Sequence, residues 1–497
     1  VNRSMHGSIK RLIIFLFLIP ISLYAQETDN FENSPESGSF SFSEDSFGFF
    51  TEEDTIEKPI KIGGEVSAQV IFFTDGFGSS EKLRKMELGD IFMGKLNFSA
   101  SGKIADGIIN IKITPDFYDG SPFAIDEAFL RFYLGPVDIE GGLRKLTWGR
   151  ADSFGPLDVI NPIDYRDPSA MADPRSIKIA RPMLHVSWNM GSFSKLEGVF
   201  VPWFSGDEFA FTGRWIPSQV SGLRNAADFV INFAAAGLPP EVIHGIQKYF
   251  DDLLKSYNPK KLFPKTDAFE YAQTGLRFTT TVGETDFGVQ YYYGRFFRPA
   301  YVVDLEGFIT SIILGTPDPE RINIVFYYNY YHQIGVDFAR VIAGFNFRAE
   351  AGMNITSDIK GDDGTVNNPQ IVWSLGFDRD IIWGVNLNLQ GNGLVRLMYN
   401  KIGSDPQMTD TEAGMNRSST RITAVLFKKI FRDELEVRIV GLWGIEDKDF
   451  LVIPAIVWSK HDIRAEFSAG FFGGDRSREL GQYRDNGYLK TLLTWSF

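Results

Sequence analysis

The sequence predicts an all-β fold, a transmembrane antiparallel β-barrel of about 18 strands, and three observations carry that prediction. Many segments alternate apolar and polar residues, the period of two expected of a strand with one wet face and one apolar face. Their connections fall into a tight set and a long set that take turns along the chain, as in a barrel with short turns at one end and long loops at the other. After the first 25 residues no stretch approaches the roughly 18 consecutive apolar residues of a membrane helix.

In order along the chain, residues 1–25 read as a secretory signal. Arg3, Lys10 and Arg11 precede the apolar run Leu12 to Ile21, and Leu23-Tyr24-Ala25 stands before Gln26. The run is about ten residues, short of the ~20 that would keep it as a membrane anchor, so its removal is expected. Residues 26–60 form an acidic leader with ten acidic residues against one Lys. Such a composition predicts a disordered periplasmic segment. The alternative is that Phe40, Phe42, Phe47, Phe49 and Phe50 dock on the barrel mouth or on a periplasmic partner.

Residues 61–497 supply the barrel. Strands are expected near 61–74, 91–104, 106–116, 123–134, 136–148, 176–190, 193–204, 270–283 and 285–297. Nine more are expected near 323–339, 343–356, 369–379, 384–400, 418–430, 434–444, 449–459, 461–472 and 487–497. In the clearest of them Phe345, Phe347, Ala349 and Ala351 oppose Asn346, Arg348 and Glu350, and Ile463, Ala465, Phe467 and Ala469 oppose Arg464, Glu466 and Ser468. Tight turns are read at Gly135, Asn189-Met190-Gly191, Gly283-Glu284, Phe431-Arg432-Asp433 and Lys460-His461. Long loops are read at 75–90, 149–175, 205–269, 298–322, 357–368, 401–417 and 473–486. Trp148, Trp203 and Trp443 would mark one interfacial girdle, and Trp188, Trp383, Trp458 and Trp495 the other.

One long loop departs from strand periodicity. Within 205–269, the segments 220–236 and 240–257 place apolar residues at helical spacing, with Val242, Ile243, Ile246, Phe250, Leu253 and Leu254 on one face. A helical hairpin that caps the outer mouth or folds into the lumen is expected there.

The net charge of −13, or −16 without the three basic residues of the signal, argues against a nucleic-acid partner. With no Cys there is no disulfide, thiolate metal site or catalytic thiol. No cofactor motif and no metal-ligand spacing is present; His244, His332 and His461 are scattered, and Gly361-Asp362-Asp363-Gly364 reads as a loop turn before a calcium site. His185 and Ser187 share one strand face, an arrangement also found in outer-membrane phospholipases, but no orienting partner can be named from sequence. No enzymatic role is predicted.

Two stretches carry a resemblance. Leu489, Leu493, Trp495 and Phe497 lie on one strand face ending in an aromatic residue, and this looks like the final strand of a bacterial outer-membrane barrel. The resemblance implies an outer-membrane location, lipid contact, and recognition of Leu493, Trp495 and Phe497 by the barrel assembly machinery. The second is Gly142-Leu143-Arg144-Lys145-Leu146-Thr147-Trp148-Gly149-Arg150, followed by Asp158-Val159-Ile160-Asn161-Pro162-Ile163-Asp164. A strand ending G-x-R-x-x-x-W-G and a loop with D-x-x-N-P-x-D resemble a poorly characterised group of porin-like outer-membrane proteins. Glu127 to Leu130 and Tyr331 to Asp337 are similar to that group as well, whereas Gly142 and Arg144 stand where it often has adjacent Gly-Arg. The resemblance implies a channel without naming a cargo.

The 149–175 loop holds Arg150, Asp152, Asp158, Asp164, Arg166, Asp167, Asp173 and Arg175, too charged a set to lie on lipid. Folded inward, it would narrow the pore and set a transverse field; alternatively these groups pair among themselves and brace the loop. Alternation assigns Lys112, Glu127, Arg131, Glu140, Arg144, Arg348, Glu350, Arg438, Arg464 and Glu466 to the lumen. The function expected is passive or substrate-selective diffusion of a small solute. The rivals are a surface interaction protein or adhesin, and a transporter of hydrophobic compounds.

Overall fold

The computed structural model describes residues 60–74, 92–114, 122–210, 213–217, 263–304, 323–404 and 410–497, with residues 244, 248, 307, 310 and 314 besides. Twenty strands are described: β1 (Lys61–Phe73), β2 (Phe92–Ser101), β3 (Ala105–Ile113), β4 (Phe123–Leu134), β5 (Val137–Arg144), β6 (Arg181–Met190), β7 (Ser194–Val201), β8 (Gln273–Val282), β9 (Thr285–Arg295), β10 (Ala300–Asp304), β11 (Asn323–Tyr327), β12 (Tyr330–Ile342), β13 (Phe345–Ile355), β14 (Gln370–Asp380), β15 (Asn386–Arg396), β16 (Ser418–Ile430), β17 (Leu435–Gly444), β18 (Asp449–Lys460), β19 (Ile463–Gly473) and β20 (Tyr488–Ser496).

Eighteen of these pair antiparallel with their neighbours in sequence, β9 pairs β12, and β1 pairs β20. The sheet is therefore closed, and no strand edge is left unpaired. At the seam Glu65 faces Ser496 and Phe73 faces Tyr488, and Gly64 and Phe497 exchange backbone hydrogen bonds of 3.0 Å in both directions. β10 and β11 form a separate hairpin beyond the ring. The sequence reading merges β11 with β12; the ladder is interrupted at Tyr328 and Asn329, whose carbonyls accept from Arg295 and Phe296 while the Asn329 amide donates to Thr365 and Asn367.

Alternation sorts the side chains cleanly. Leu130, Leu276, Val289, Val336, Leu375 and Ile456 point outward and are exposed, forming an apolar band around the ring. Their sequence neighbours Arg131, Arg277, Gln290, Asp337, Ser374 and Val457 point inward. The tight turns sit at one end, where Gly135, Gly191, Gly283, Phe431, Arg432, Asp433 and His461 all have positive φ. The long connections sit at the other end, with one short exception between Gly444 and Asp449.

Two expectations are corrected or fall elsewhere. Trp148 does not belong to a girdle: β5 ends at Arg144, the chain turns inward, and Trp148 lies inside the ring, only 2% exposed, edge-on to Tyr292 at 6.4 Å. The girdle residues Trp188, Trp203, Trp383, Trp443, Trp458 and Trp495 are exposed. The predicted helical insertion lies mostly outside the described residues; within 205–269, His244 and Lys248 are the helical positions among those described.

Candidate functional site

The site is the segment 145–180, which leaves the end of β5 and runs within the ring before rejoining the wall at β6. Gly149 makes the entry turn with φ of +88°, a conformation costly for any residue with a Cβ. Asn161 then ties the segment's two ends together. Its Oδ1 accepts from the Leu146 N–H at 2.8 Å, while its Nδ2 donates to the carbonyls of Arg144 at 3.1 Å and Ile179 at 2.8 Å. The Asn-Pro pair thus serves as a brace across the neck of the loop.

Residues 150–157 seat on the inner wall of β9 and β12–β15, chiefly through polar groups. The Glu350 carboxylate accepts the backbone N–H groups of Arg150, Ala151 and Leu157, the second at 2.7 Å and the third at 3.3 Å. Gln390 Oε1 accepts from Asp152 N at 2.9 Å and Ser153 N at 3.0 Å. Gln333 and Gln290 donate to the carbonyls of Pro156 and Leu157 at 3.0 and 2.9 Å. Wall amides and a carboxylate thereby satisfy a stretch of loop backbone that would otherwise lose its water.

Two charged side chains of the segment reach the same wall. Arg150 Nε donates to Asp337 Oδ1 at 2.7 Å and its Nη1 to Asp286 Oδ2 at 3.2 Å. Asp152 pairs with Arg348 and accepts from Asn388 Nδ2 at 2.8 Å; Arg348 also donates to Asp378 at 2.5 Å. Burial pushes the Asp152 carboxyl up to about 6, against the opposing pull of Arg348 and the Asn388 hydrogen bond. Leu157, fully buried, is the apolar anchor, and its side chain packs where Gly335 and Gly352 leave no Cβ.

Residues 158–180 are fixed differently. Val159 and Ile160 join Leu146, Trp148, Met183, Val199, Val201, Tyr292 and Tyr331 in one buried cluster. Met171 and Ile177 join Ile71, Phe73, Leu442, Leu451 and Phe472, from β1 and β17–β19, in a second. Apolar inward side chains at these positions make sense only because the segment covers them.

The remaining charges of the segment brace it internally. Asp158 pairs with Lys178, which also donates to Thr147 at 2.6 Å. Asp164 receives Arg166 at 2.5 and 2.8 Å, and Arg166 reaches Glu208 at 3.1 Å. Asp167 caps the short 3-10 turn Pro168–Ala172 by accepting from Ser169 N, and Asp173 accepts from the N–H of Arg175 at 3.2 Å. Of the eight loop charges singled out in sequence, Arg150 and Asp152 therefore engage the barrel wall, while Asp158, Asp164, Arg166, Asp167 and Asp173 hold partners within the loops.

On the wall, Arg131, Arg144 and His185 converge on Glu140: Arg131 Nε at 2.5 Å, His185 Nδ1 at 2.8 Å, with Arg144 in contact. Glu127 accepts from Lys145 N at 2.9 Å. His185 Nε2 faces Glu197 at 3.3 Å. Both ring nitrogens being committed to carboxylates, His185 is not poised to activate Ser187, and the two face the lumen, away from lipid. In the calcium-like loop, Asp358 accepts the N–H groups of Gly361, Asp362 and Asp363, which makes it a turn brace.

Farther along the chain, Glu479 ties its loop to others by pairing with Arg298 and with Arg421 at 3.0 Å. Burial would raise its carboxyl, but the two guanidiniums outweigh that and hold it at about 2. Sequence reading missed Asp286, Gln290, Asn388 and Gln390, and marked Gln333 and Asp337 only as part of a stretch similar to the porin-like group. The alternating amides Asn386, Asn388, Gln390 and Asn392 were the available signal, since four amides on one face of a strand call for hydrogen-bond partners.

No family model matches the chain, and no curated protein matches it in sequence. Among solved structures it is similar to OmpF of Salmonella typhi in complex with daunomycin, at 7% identity over 88% of this chain and 97% of that one, TM-score 0.39. A BenF-like porin from Pseudomonas fluorescens gives 8% identity over 88% and 98%, TM-score 0.43. Wzi of Escherichia coli, a carbohydrate-binding β-barrel involved in group 1 capsule assembly, gives 10% identity over 87% and 84%, TM-score 0.43.

Proposed function

We propose that this chain is a porin-like channel of a bacterial outer membrane, conducting small solutes by passive diffusion, with the 145–180 segment as its constriction. One observation carries the reading: a closed ring of 18 strands is apolar outside, polar and charged inside, and houses a charged segment seated on its inner wall. An exterior of this kind is stable in hydrocarbon, and a ring of this size encloses room for water as well as a loop. Leu493, Trp495 and Phe497 lie exposed beside the seam, where contact with the barrel assembly machinery fits the reading.

The test is single-channel recording of the refolded chain in planar bilayers. Stable ohmic steps are expected. Their absence across repeated, correctly folded insertions would remove the channel reading and leave an interaction barrel.

A further inference from the structure

The 145–180 segment does not meet the ring evenly. Its contacts run over β4 at Lys145, over the β6–β9 and β12 cluster, over β12–β15 at residues 150–157, and over β17–β20 and β1 at Met171, Ile177 and Ser169. Toward β3 it is joined through β4, where Asp126 Oδ1 takes both Lys145 Nζ at 2.6 Å and Lys112 Nζ of β3 at 2.7 Å.

Exposure follows the same division. On the covered wall the Asp337 side chain is 0% exposed and that of Arg277 4%. On the uncovered wall, at comparable height in the strands, Lys95 is 53% exposed, its partner Glu65 39%, and Lys112 33%. Lys95 stands six residues from the tight-turn end of β2, and Glu350 five from that of β13.

Resting on the channel reading, we propose that solute passes the constriction along the wall of β2 and β3, and that Lys95 and Lys112 give this passage a preference for anions. The wall has mixed charge, but its cations reach further. Lys95 pairs with Glu65 at 3.3 Å, and Lys112 with Asp126 at 2.7 Å. In each pair the basic side chain, with its charge on a four-carbon stem, is more exposed than the shorter acidic one, Asp126 being 22% exposed. Arg131 repeats the arrangement, 32% exposed against 6% for Glu140. A solute in the passage meets the positive ends first, in a narrow space where such charges are weakly screened.

The chain has no Cys, so a single introduced thiol is a clean probe. Lys95→Cys and Lys112→Cys are prepared in the full chain, with Thr279→Cys as control; Thr279 faces inward on β8, on the covered side. A bulky methanethiosulfonate is expected to cut single-channel conductance by about half or more at Lys95→Cys and Lys112→Cys and by a clearly smaller fraction at Thr279→Cys. Separately, the double variant Lys95→Gln/Lys112→Gln should move the reversal potential in asymmetric KCl away from anion preference. Equal block at all three sites, no block at Lys95→Cys and Lys112→Cys, or an unmoved reversal potential overturns the proposal while leaving a working channel. A full chain that never conducts overturns the channel reading and this inference together.

Discussion

Glu350→Ala gives the sharpest test of how the constriction is held. Three backbone N–H groups, of Arg150, Ala151 and Leu157, converge on this one buried carboxylate. Hydrogen bonds to a charged group contribute about 1.5–3 kcal/mol each, so simple addition gives roughly 5–9 kcal/mol. That sum is too large, because removing Glu350 also relieves the cost of keeping a carboxylate out of water, worth several kcal/mol, and a released segment can rehydrate its donors. A net loss of about 2–4 kcal/mol for segment seating remains. At 1.4 kcal/mol per factor of ten, the local opening constant should rise roughly 30- to 1000-fold. The assay is amide hydrogen exchange in detergent or nanodiscs. Residues 150–157 should lose protection by about that factor, while β13, β14 and the seam between β1 and β20 exchange as before. Unchanged exchange at Arg150, Ala151 and Leu157 would refute the reasoning, since it would mean that the amides of Gln290, Gln333 and Gln390, the Arg150 and Asp152 ion pairs and the packing of Leu157 seat the segment without Glu350.

Four further outcomes are expected. Gly149→Ala, at φ +88° against the Glu350 carboxylate, should loosen the same residues by about 1–2 kcal/mol or more, read by the same exchange experiment. Asp152 has its seated pKa raised to about 6, above its unseated value near 4. The seated state binds the extra proton, so seating should tighten as pH falls from 7 through 6 toward 4, and protection factors should rise further in the native chain than in Asp152→Asn. Val336→Arg, on the outward face of β12, should destabilise the barrel by about 2–4 kcal/mol in urea titrations in lipid, and a null effect would place that face away from hydrocarbon. Trp148→Ala removes a fully enclosed ring from the cluster with Tyr292 and should cost about 3–5 kcal/mol, against a much smaller loss for the exposed Trp443→Ala.

The barrel is legible in short stretches of the sequence. Alternation depends on neighbours two apart, so the inward assignment of Lys112, Arg131, Glu140, Arg348 and Glu350 could be read locally, and the register agrees with it. Strands β4 (Phe123–Leu134) and β16 (Ser418–Ile430) fall on the ranges expected from periodicity and turns alone. Whatever depends on residues far apart in the chain is set by how the barrel folds. Trp148 resembles a girdle residue from its place near a strand end, and only the inward departure of the chain after Arg144 makes it a core residue. Arg150 and Asp158 look alike as loop charges, yet one meets Asp337, 187 positions away, and the other meets Lys178 within the loop. The seat for residues 150–157 is assembled from pairs of polar residues on four strands, β9, β12, β13 and β15, which lie far apart in the sequence. Ring closure brings those strands under one loop, and burial then gives their charges and amides a shared task that no local pattern encodes.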